Sequence, residues 1–437
     1  MGERAGNASL DEVVIGLHDF LKIETGIEEE QLFRASKVVE SFTGYLREDC
    51  FMTIQRTYKE INKKIKKGEA VVVTAEEIIP IVEKKGIEKA AEEIDVVTTG
   101  TFGAMCSSGA IINFGHSDPP IRMQKVSLND VEAYAGLAAV DVYIGATQLS
   151  ESRGMEYGGA HVIEDLITGK KIKLKALSQG TDCYPRREIE TYIDKESINQ
   201  AVLFNPRNSY QNYNVAINTS DRKIYTYMGI LLPNMGNANY CTSGQLSPLL
   251  NDPKFITIGI GTRIFLGGAQ GYIVWEGTQF SPQSLKAKNE KTVYRGGTLA
   301  VIGNLKEMNP DYIRAAIFKG YGVSLLVGIG VPIPILDNEI MKYVAVKDED
   351  IYTEIIDYSF PRLSKPSLGW VNYKQLREGK INVRGKDVPT SPLSSYAKAR
   401  EIAQKLKEEI LRGEFLLQEP IQKFPKESEL KPLLEIH

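Results

Sequence analysis

Two short apolar segments on either side of a helix-forming stretch constrain the fold of this chain more than any other feature. Residues Ala70 to Val73 and Asp95 to Thr99 have the composition of buried strands, and Thr74-Ala-Glu-Glu77 matches a capping box that begins a helix. Two apolar strands connected by a helix form a βαβ unit, in which the strands pair in parallel. The sequence therefore predicts an α/β fold with parallel strand pairing.

The second half of the chain repeats this alternation. Residues Thr298 to Gly303 and Ser324 to Ile329 are typical of strands, and Asn309 to Gly320 between them predicts a helix. In residues 8–50, apolar side chains recur at helical spacing on both sides of a glycine, which predicts an N-terminal helical hairpin. We expect an α/β fold with mixed sheets, βαβ units and Gly-rich loops that form the site. Further strands are predicted over 140–147, 258–266, 271–279 and 381–383, and helices over 53–67 and 394–411.

A glycine-rich stretch directly follows the second strand of the βαβ unit. Residues Thr98 to Met123 contain four glycines, Cys106, His116 and a Pro-Pro pair. Glycine allows the backbone to approach a ligand closely, and ligands of open α/β sheets bind beyond the carboxyl ends of the strands. The stretch matches neither the dinucleotide-binding nor the P-loop motif. It therefore predicts a site with an accessible thiol.

The charge of the chain limits its partners. It has 53 basic and 56 acidic residues and a formal net charge of -3, so there is no basic excess to bind nucleic acid. The N-terminus lacks the pattern of a signal peptide. The longest apolar run, Gly322 to Leu336, is too short to span a membrane and contains Pro332 and Pro334. We expect a cytoplasmic protein that acts on a small molecule or another protein, with no membrane partner.

The four cysteines, at positions 50, 106, 183 and 241, are far apart and form no CxxC pair. The sequence therefore predicts no zinc, iron–sulfur or other metal site. Arg186 and Arg187 follow Cys183 closely and favour its thiolate, whereas Asp182 opposes it, so the net effect stays open. Cys241-Thr-Ser-Gly244 is similar to Cys106-Ser-Ser-Gly109, but four residues are too few to establish a duplication. Both a structural and a functional role of Cys241 stay open.

Six segments together resemble the homocysteine biosynthesis, sulfur-incorporation family, whose members act as L-aspartate semialdehyde sulfurtransferases in methanogens and other anaerobes. The resemblance covers roughly Glu60 to Pro420, which gives a catalytic region over 53–420 between an N-terminal extension over 1–52 and a charged tail over 421–437 that we expect to be mobile. The segments are Thr98–Met123, Gly180–Glu188, Tyr227–Pro253, Gly259–Gln279, Gly322–Leu336 and Pro392–Ile410.

The resemblance implies two working thiols, which match Cys106 and Cys183 here. A cysteine persulfide supplies a sulfur nucleophile at neutral pH. We hypothesise that Cys183 carries the persulfide and attacks the aldehyde of L-aspartate semialdehyde, and that Cys106 resolves the intermediate or accepts sulfur through a disulfide. His116 is a candidate proton donor to the leaving oxygen, or equally a turn residue.

The substrate's α-carboxylate requires a cation such as arginine. Arg122 is the first candidate because it closes the cysteine-containing stretch, and Arg207 and Arg263 are the others. Arg186 and Arg187 are expected to assist the Cys183 persulfide and to bind the substrate beside it. A solvated surface role is the alternative for each of these arginines.

The proposed thioaldehyde intermediate needs two electrons to become homocysteine. No redox-cofactor motif occurs in this sequence, so we expect no cofactor in the chain and a ferredoxin-type partner as the electron source. The sulfur comes from sulfide or a persulfide donor, and a homo-oligomer is left open. Two alternatives remain: a cysteine-nucleophile acyl transferase or thioesterase with a Cys106–His116 dyad, and a non-catalytic scaffold of a sulfur-transfer assembly.

Overall fold

Mixed α/β structure runs through the described parts of the chain. The computed structural model describes residues 54–208, 214–282 and 297–434, and the hairpin predicted over 8–50 lies outside these ranges. The helices, numbered along the chain, are α1 (Tyr58–Lys67), α2 (Ile78–Lys85), α3 (Ile87–Glu93), α4 (Gly159–Ile167), α5 (Pro248–Asn251), α6 (Asn338–Val344), α7 (Tyr373–Arg377) and α8 (Tyr396–Leu411), with short 3-10 helices at Gly244–Leu246 and Leu305–Glu307.

The predicted βαβ unit is present. Strands β1 (Val72–Thr74) and β2 (Val96–Thr98) pair in parallel, and α2 and α3 connect them. Thr74 and Glu77 exchange the hydrogen bonds of the capping box: Thr74 N–H donates to Glu77 Oε2 at 2.8 Å, and Glu77 N–H donates to Thr74 Oγ1 at 3.3 Å. Strand β22 (Pro332–Pro334) adds to β2 in the antiparallel direction, so this sheet is mixed.

The largest sheet contains the strands that surround the candidate site. Its order is β20-β21-β17-β18-β19-β12-β4-β7, and β3 also pairs with β21. The glycine-rich stretch contains two of these strands, β3 and β4. A Cβ at Gly100, just before β3, would overlap the carbonyl of Ala399 on α8. The strands are β3 (Thr101–Ala104), β4 (Gly109–Asn113), β7 (Asp141–Gly145), β12 (Gln200–Asn208), β17 (Arg263–Leu266), β18 (Ala269–Glu276), β19 (Leu299–Asn304), β20 (Ile313–Phe318) and β21 (Gly322–Gly330).

The helix predicted between Asn309 and Gly320 is wrong. These residues contain β20, which forms an antiparallel hairpin with β21 over six residue pairs, from Ile313 opposite Val327 to Phe318 opposite Gly322. Gly320 has a φ of 72° at the turn. Cross-strand hydrogen bonds to the buried strand β21 outweigh the local helical preference of this segment.

Two six-stranded sheets and a hairpin complete the described strands. One sheet has the order β11-β10-β5-β6-β8-β9 and the other β24-β23-β13-β16-β26-β25. Their members are β5 (Lys125–Leu128), β6 (Val131–Ala133), β8 (Leu149–Ser150), β9 (Gly154–Gly158), β10 (Ile172–Leu177), β11 (Glu188–Ile193), β13 (Val215–Ile217), β16 (Ala238–Tyr240), β23 (Tyr352–Asp357), β24 (Ser367–Asn372), β25 (Lys380–Val383) and β26 (Lys386–Pro392), and the hairpin is β14 (Ile224–Thr226) with β15 (Gly229–Leu231).

The C-terminal segment is anchored to the core at its start. Ile260 bridges to Gln422, and Phe424 packs between Phe255 and Phe280, with 5.4 Å between its ring centroid and each of theirs. Phe424 is only 7% exposed. The expectation of a mobile tail beyond Pro420 is therefore wrong for these residues, because an aromatic side chain among charged neighbours fills a place in the core.

The longest apolar run forms strands. Residues from Gly322 to Gly330 and from Pro332 to Pro334 are the buried strands β21 and β22. Among the described residues, no helix has the length and apolar character needed to cross a bilayer.

Candidate active site

A cavity of about 450 Å³ opens between the β3–β4 turn, β12 and the segment that follows β16. Cys106, Cys241 and Arg207 line it. Both cysteines are free and partly buried. Two thiols and a cation are the groups needed for sulfur chemistry on a small anionic molecule. Small polar and aromatic residues complete the wall, among them Thr101, Thr242, Ser394, Gln279, Tyr227 and Tyr321.

Cys106 lies in the turn between β3 and β4. Its Sγ accepts a hydrogen bond from Ser324 Oγ on β21, at 3.1 Å. The turn is fixed by Ser108, whose hydroxyl donates to Met105 O at 2.8 Å and accepts from Asn205 Nδ2 at 2.7 Å. Burial raises the pKa of Cys106, and the Ser324 hydrogen bond acts in the opposite direction. Burial thus favours the protonated thiol, and the Ser324 donor favours its thiolate.

Cys241 follows β16 and lines the same cavity. Its Sγ contacts Met228 Sδ at 3.5 Å, and its carbonyl accepts a hydrogen bond from Tyr373 OH at 2.8 Å. Burial, followed by the charge of a Cys106 thiolate, raises the pKa of Cys241 to about 12.

Arg207 enters the cavity from an irregular part of β12. The pairing of β12 with β19 shifts register between Asn205 and Asn208, and such a bulge redirects the side chains within it. The Arg207 side chain donates from Nε to Thr278 Oγ1 at 2.9 Å, and the backbone N–H of Arg207 donates to Asn205 Oδ1 at 2.7 Å. The side chain of Asn205 is fully buried and forms hydrogen bonds with the Arg207 backbone in this bulge and with Ser108 in the Cys106 turn. One side chain therefore connects the segments that carry Cys106 and Arg207.

A pair of tyrosines borders the cavity near Cys106. The ring centroids of Tyr227 and Tyr321 are 6.2 Å apart, and the hydroxyls of Tyr227 and Tyr358 lie 2.9 Å from each other. Burial, and then the charge of a Cys106 thiolate, raises the pKa of Tyr321. Phenol hydroxyls beside the thiol can donate hydrogen bonds to an oxygen of a bound substrate.

Cys183 does not line this cavity. It is exposed in the loop between β10 and β11, where its Sγ lies 3.5 Å from Thr181 Oγ1. Arg186, expected to assist the Cys183 thiolate, instead donates from Nε to Pro119 O at 2.9 Å and from Nη2 to Asp118 O at 2.6 Å. Arg186 therefore attaches the Cys183 loop to the Pro-Pro turn.

Strand β4 separates the Cys183 loop from Cys106. Cys106 precedes β4, whereas the Pro-Pro turn bound to this loop follows it. Five residues of β4 span roughly 16 Å at about 3.3 Å each. His116 is on the far side too, exposed, with its ring 6.1 Å from that of Tyr184. Neither Cys183 nor His116 is among the described residues that line the cavity of Cys106.

The other candidate arginines lie outside the cavity. Arg122 is exposed and borders a shallow depression with Tyr134 and Tyr184. Arg263 Nη1 donates to Leu416 O at 3.3 Å and attaches β17 to the C-terminal segment. Arg187 is exposed beside Cys183. Of the five arginines expected from the sequence, the structure places Arg207 beside a cavity thiol.

Several cavity residues had a weak signal in the sequence. Ser324 is a polar residue inside an apolar strand, which marks a buried hydroxyl that needs a partner. The segment Cys241-Thr-Ser-Gly244 echoes Cys106-Ser-Ser-Gly109, but the echo was too short to assign a role to Cys241. Asn205, Tyr227 and Tyr321 carried no recognisable pattern, because distant segments bring them to the cavity.

The side chains do not suggest a metal site. Among the residues described, no group of three His, Cys, Asp or Glu side chains is arranged to hold a metal ion. The cavity combines thiols, hydroxyls and one guanidinium, a set suited to binding an anion and to nucleophilic chemistry.

Comparison with known proteins agrees with this chemistry. The family model described as homocysteine biosynthesis enzyme, sulfur-incorporation, matches residues 70–417. An L-aspartate semialdehyde sulfurtransferase of Methanosarcina acetivorans is 55% identical over 380 residues, 87% of this chain and 74% of the relative. The protein of the same name from Methanocaldococcus jannaschii is 56% identical over 383 residues, 84% of this chain and 73% of the relative. No solved structure matches the chain.

Proposed function

This chain belongs to the homocysteine biosynthesis enzyme, sulfur-incorporation, family, and we propose that it converts L-aspartate semialdehyde and sulfide-derived sulfur to L-homocysteine. The observation that carries the proposal is the shared cavity of Cys106 and Arg207. An amino-acid aldehyde needs a sulfur nucleophile at one end and a carboxylate partner at the other. The cavity offers both groups.

We assign the persulfide that attacks the aldehyde to Cys106, since Cys183 lies outside the cavity. A persulfide is more acidic and more nucleophilic than a thiol, so sulfur loading compensates for the buried, protonated state of Cys106. The Ser324 hydroxyl supports the anion that forms when sulfur leaves.

Arg207 binds the α-carboxylate in this proposal. Its Nε is fixed by Thr278, which leaves the Nη atoms to form a charge-assisted pair with a carboxylate. A hydroxyl of Tyr227 or Tyr321 donates a hydrogen bond to the aldehyde oxygen in place of the distant His116. The substrate is thereby oriented with its carbonyl carbon toward Cys106.

Cys183 acts as a surface acceptor of sulfur. Its exposure permits a protein-bound persulfide donor to reach it, which the recessed Cys106 does not allow. Sulfur then passes to the Cys106 cavity, by loop movement or from the loop of a second copy of the chain. Free hydrosulfide enters the cavity directly and becomes the outer sulfur of a Cys106 persulfide by displacing a thiolate from a disulfide of Cys106, which serves as the two-electron oxidant.

The reduction step requires an external partner. Loss of water from the sulfur adduct gives a thioaldehyde, which takes up two electrons and two protons to become homocysteine. A ferredoxin-type protein is the proposed source of these electrons.

Intact-mass spectrometry of the anaerobic full-length protein tests this proposal. After treatment with a persulfide donor, the parent should gain one sulfur atom that is discharged by L-aspartate semialdehyde. Cys106→Ala should retain no dischargeable sulfur, whereas the matched control Cys50→Ala should behave as the parent. Discharge that is unaffected by Cys106→Ala would refute the assignment.

A further inference from the structure

Cys241 has no role in the function proposed above, yet it shares the cavity of Cys106. The two segments that carry these thiols are joined directly. Gly100 N–H donates to Leu246 O at 2.9 Å, and Ser243 Oγ donates to Thr101 Oγ1 at 3.4 Å. The similar Cys-Ser-Ser-Gly and Cys-Thr-Ser-Gly sequences therefore lie beside one wall of the same cavity.

The backbone around Cys241 is held in an uncommon conformation. Thr242 has a φ of 70°, which a β-branched residue rarely adopts. The Thr242 hydroxyl donates to Tyr373 OH at 2.8 Å, and that phenol donates to the Cys241 carbonyl. A strained residue held by buried hydrogen bonds next to a thiol in a cavity is typical of a functional site.

We propose that Cys241 is the resolving thiol for sulfur carried on Cys106, an inference that rests on the proposed sulfurtransferase function. Before each turnover, Cys106 and Cys241 are joined by a disulfide. Hydrosulfide attacks Cys106 Sγ and breaks the Cys106–Cys241 bond, which leaves a persulfide on Cys106 and a thiolate on Cys241.

The remaining steps balance without a further oxidant. The terminal sulfur of the persulfide adds to the aldehyde carbon, and the carbonyl oxygen takes a proton. The Cys241 thiolate then attacks Cys106 Sγ, re-forms the disulfide and releases the substrate's sulfur as a hydroxythiolate. That species takes up a proton and loses water to give the thioaldehyde, which the external partner reduces. The first disulfide comes from thiol–disulfide exchange with a low-molecular-weight disulfide.

Electrostatics would order these steps. The charge of a free Cys106 thiolate contributes to the raised pKa of Cys241. When Cys106 is covalently bound to sulfur and substrate, that charge is gone, and the Cys241 thiolate becomes easier to sustain. Cys241 is therefore most able to attack at the stage when the product must be released.

The first measurement is peptide mapping of the full-length protein. The folded protein is treated with cystamine, its remaining thiols are then blocked, and it is denatured and digested. We expect a peptide pair joined through Cys106 and Cys241, which is lost in Cys241→Ser and kept in Cys50→Ser. A disulfide that joins Cys106 to Cys183 or Cys50, or no disulfide of Cys106 within the chain, would overturn the proposal.

The second measurement follows a single turnover. Cys241→Ser, loaded with one sulfur by a persulfide donor and mixed with L-aspartate semialdehyde, should retain a mass adduct of sulfur plus substrate, and added dithiothreitol should release it. Cys241→Ala provides the same test if the serine variant is poorly folded. Release at the parental rate without added thiol would contradict a resolving role, whereas a parent that yields no homocysteine even after borohydride reduction of its products would refute the sulfurtransferase function itself.

Discussion

Ser324 donates a hydrogen bond of 3.1 Å from its hydroxyl to the Sγ atom of Cys106. Ser324 is fully buried in β21, and Cys106 lies in the turn after β3, the strand that pairs with β21. The hydrogen bond favours the thiolate, whereas burial disfavours it. The reactivity of the cavity thiol therefore depends on one hydroxyl from a neighbouring strand.

Replacing Ser324 by alanine should raise the pKa of Cys106, because the variant loses the donor that stabilises the thiolate. The pH profile for alkylation of Cys106 by iodoacetamide should shift to higher pH, so that alkylation at neutral pH is slower. Ser324→Thr, which keeps a hydroxyl, is the matched control. An unchanged profile in Ser324→Ala would show that this hydrogen bond does not tune the thiol.

Replacing Arg207 by lysine should weaken binding of L-aspartate semialdehyde, since lysine lacks the planar fork that pairs with a carboxylate. A charged hydrogen bond contributes about 1.5–3 kcal/mol, so KM should rise about 10- to 100-fold. Loading of sulfur onto Cys106 should be unaffected. Arg187→Lys, outside the cavity, should leave KM at the parental value, and a larger effect there than at Arg207 would place the carboxylate elsewhere.

Replacing Cys183 by serine should separate the two routes of sulfur entry. With free sulfide, after pretreatment with a low-molecular-weight disulfide and with borohydride reduction of the thioaldehyde, homocysteine should form at the parental rate, because hydrosulfide reaches the cavity directly. With a persulfide-bearing protein as donor, the rate should fall, because the exposed acceptor is missing. Loss of the sulfide-dependent activity in this variant would place Cys183 in the chemical step and contradict its role as a surface acceptor.

Replacing Phe424 by alanine should destabilise the protein, because the side chain fills the space between Phe255 and Phe280. Loss of a buried phenylalanine costs about 3 kcal/mol of unfolding free energy or more. Urea denaturation measures this change. Leu430→Ala, at a side chain that is 54% exposed, should have little effect. Equal stability of both variants would mean that the C-terminal segment does not contribute to the core in solution.

Local sequence signals predicted the parts of the fold that local interactions decide. The capping box at Thr74 and the helices predicted over 53–67 and 394–411 depend on neighbours within a few residues. The capping box is present, and the two helices form over Tyr58–Lys67 and Tyr396–Leu411. The β20 segment was mistaken for a helix because its structure depends on pairing with β21. Non-local pairing of this kind leaves little trace in one sequence.

Only part of the site could be predicted, again because residues from distant segments form it. Cys106 stands out among glycines, and Arg207 was one of several candidates, but which thiol shares the cavity with Cys106 is decided by the packing of β3 against the segment after β16. Arginines close to Cys183 in sequence suggested an activated thiol there. In the fold, the guanidinium of Arg186 binds backbone carbonyls of the Pro-Pro turn instead.

The most direct test of the sulfurtransferase proposal follows the sulfur atom itself. The full-length protein would first be treated with a low-molecular-weight disulfide, which is then removed, and incubated anaerobically with L-aspartate semialdehyde and heavy-isotope sulfide. The thioaldehyde would be trapped by borohydride reduction before mass spectrometry of the amino acids. We expect labelled homocysteine from the parent and from Cys50→Ser, and only the background of the protein-free reaction from Cys106→Ser. Labelled homocysteine at the parental level from Cys106→Ser, or none above background from the parent, would contradict the assignment of sulfur transfer to the Cys106 cavity.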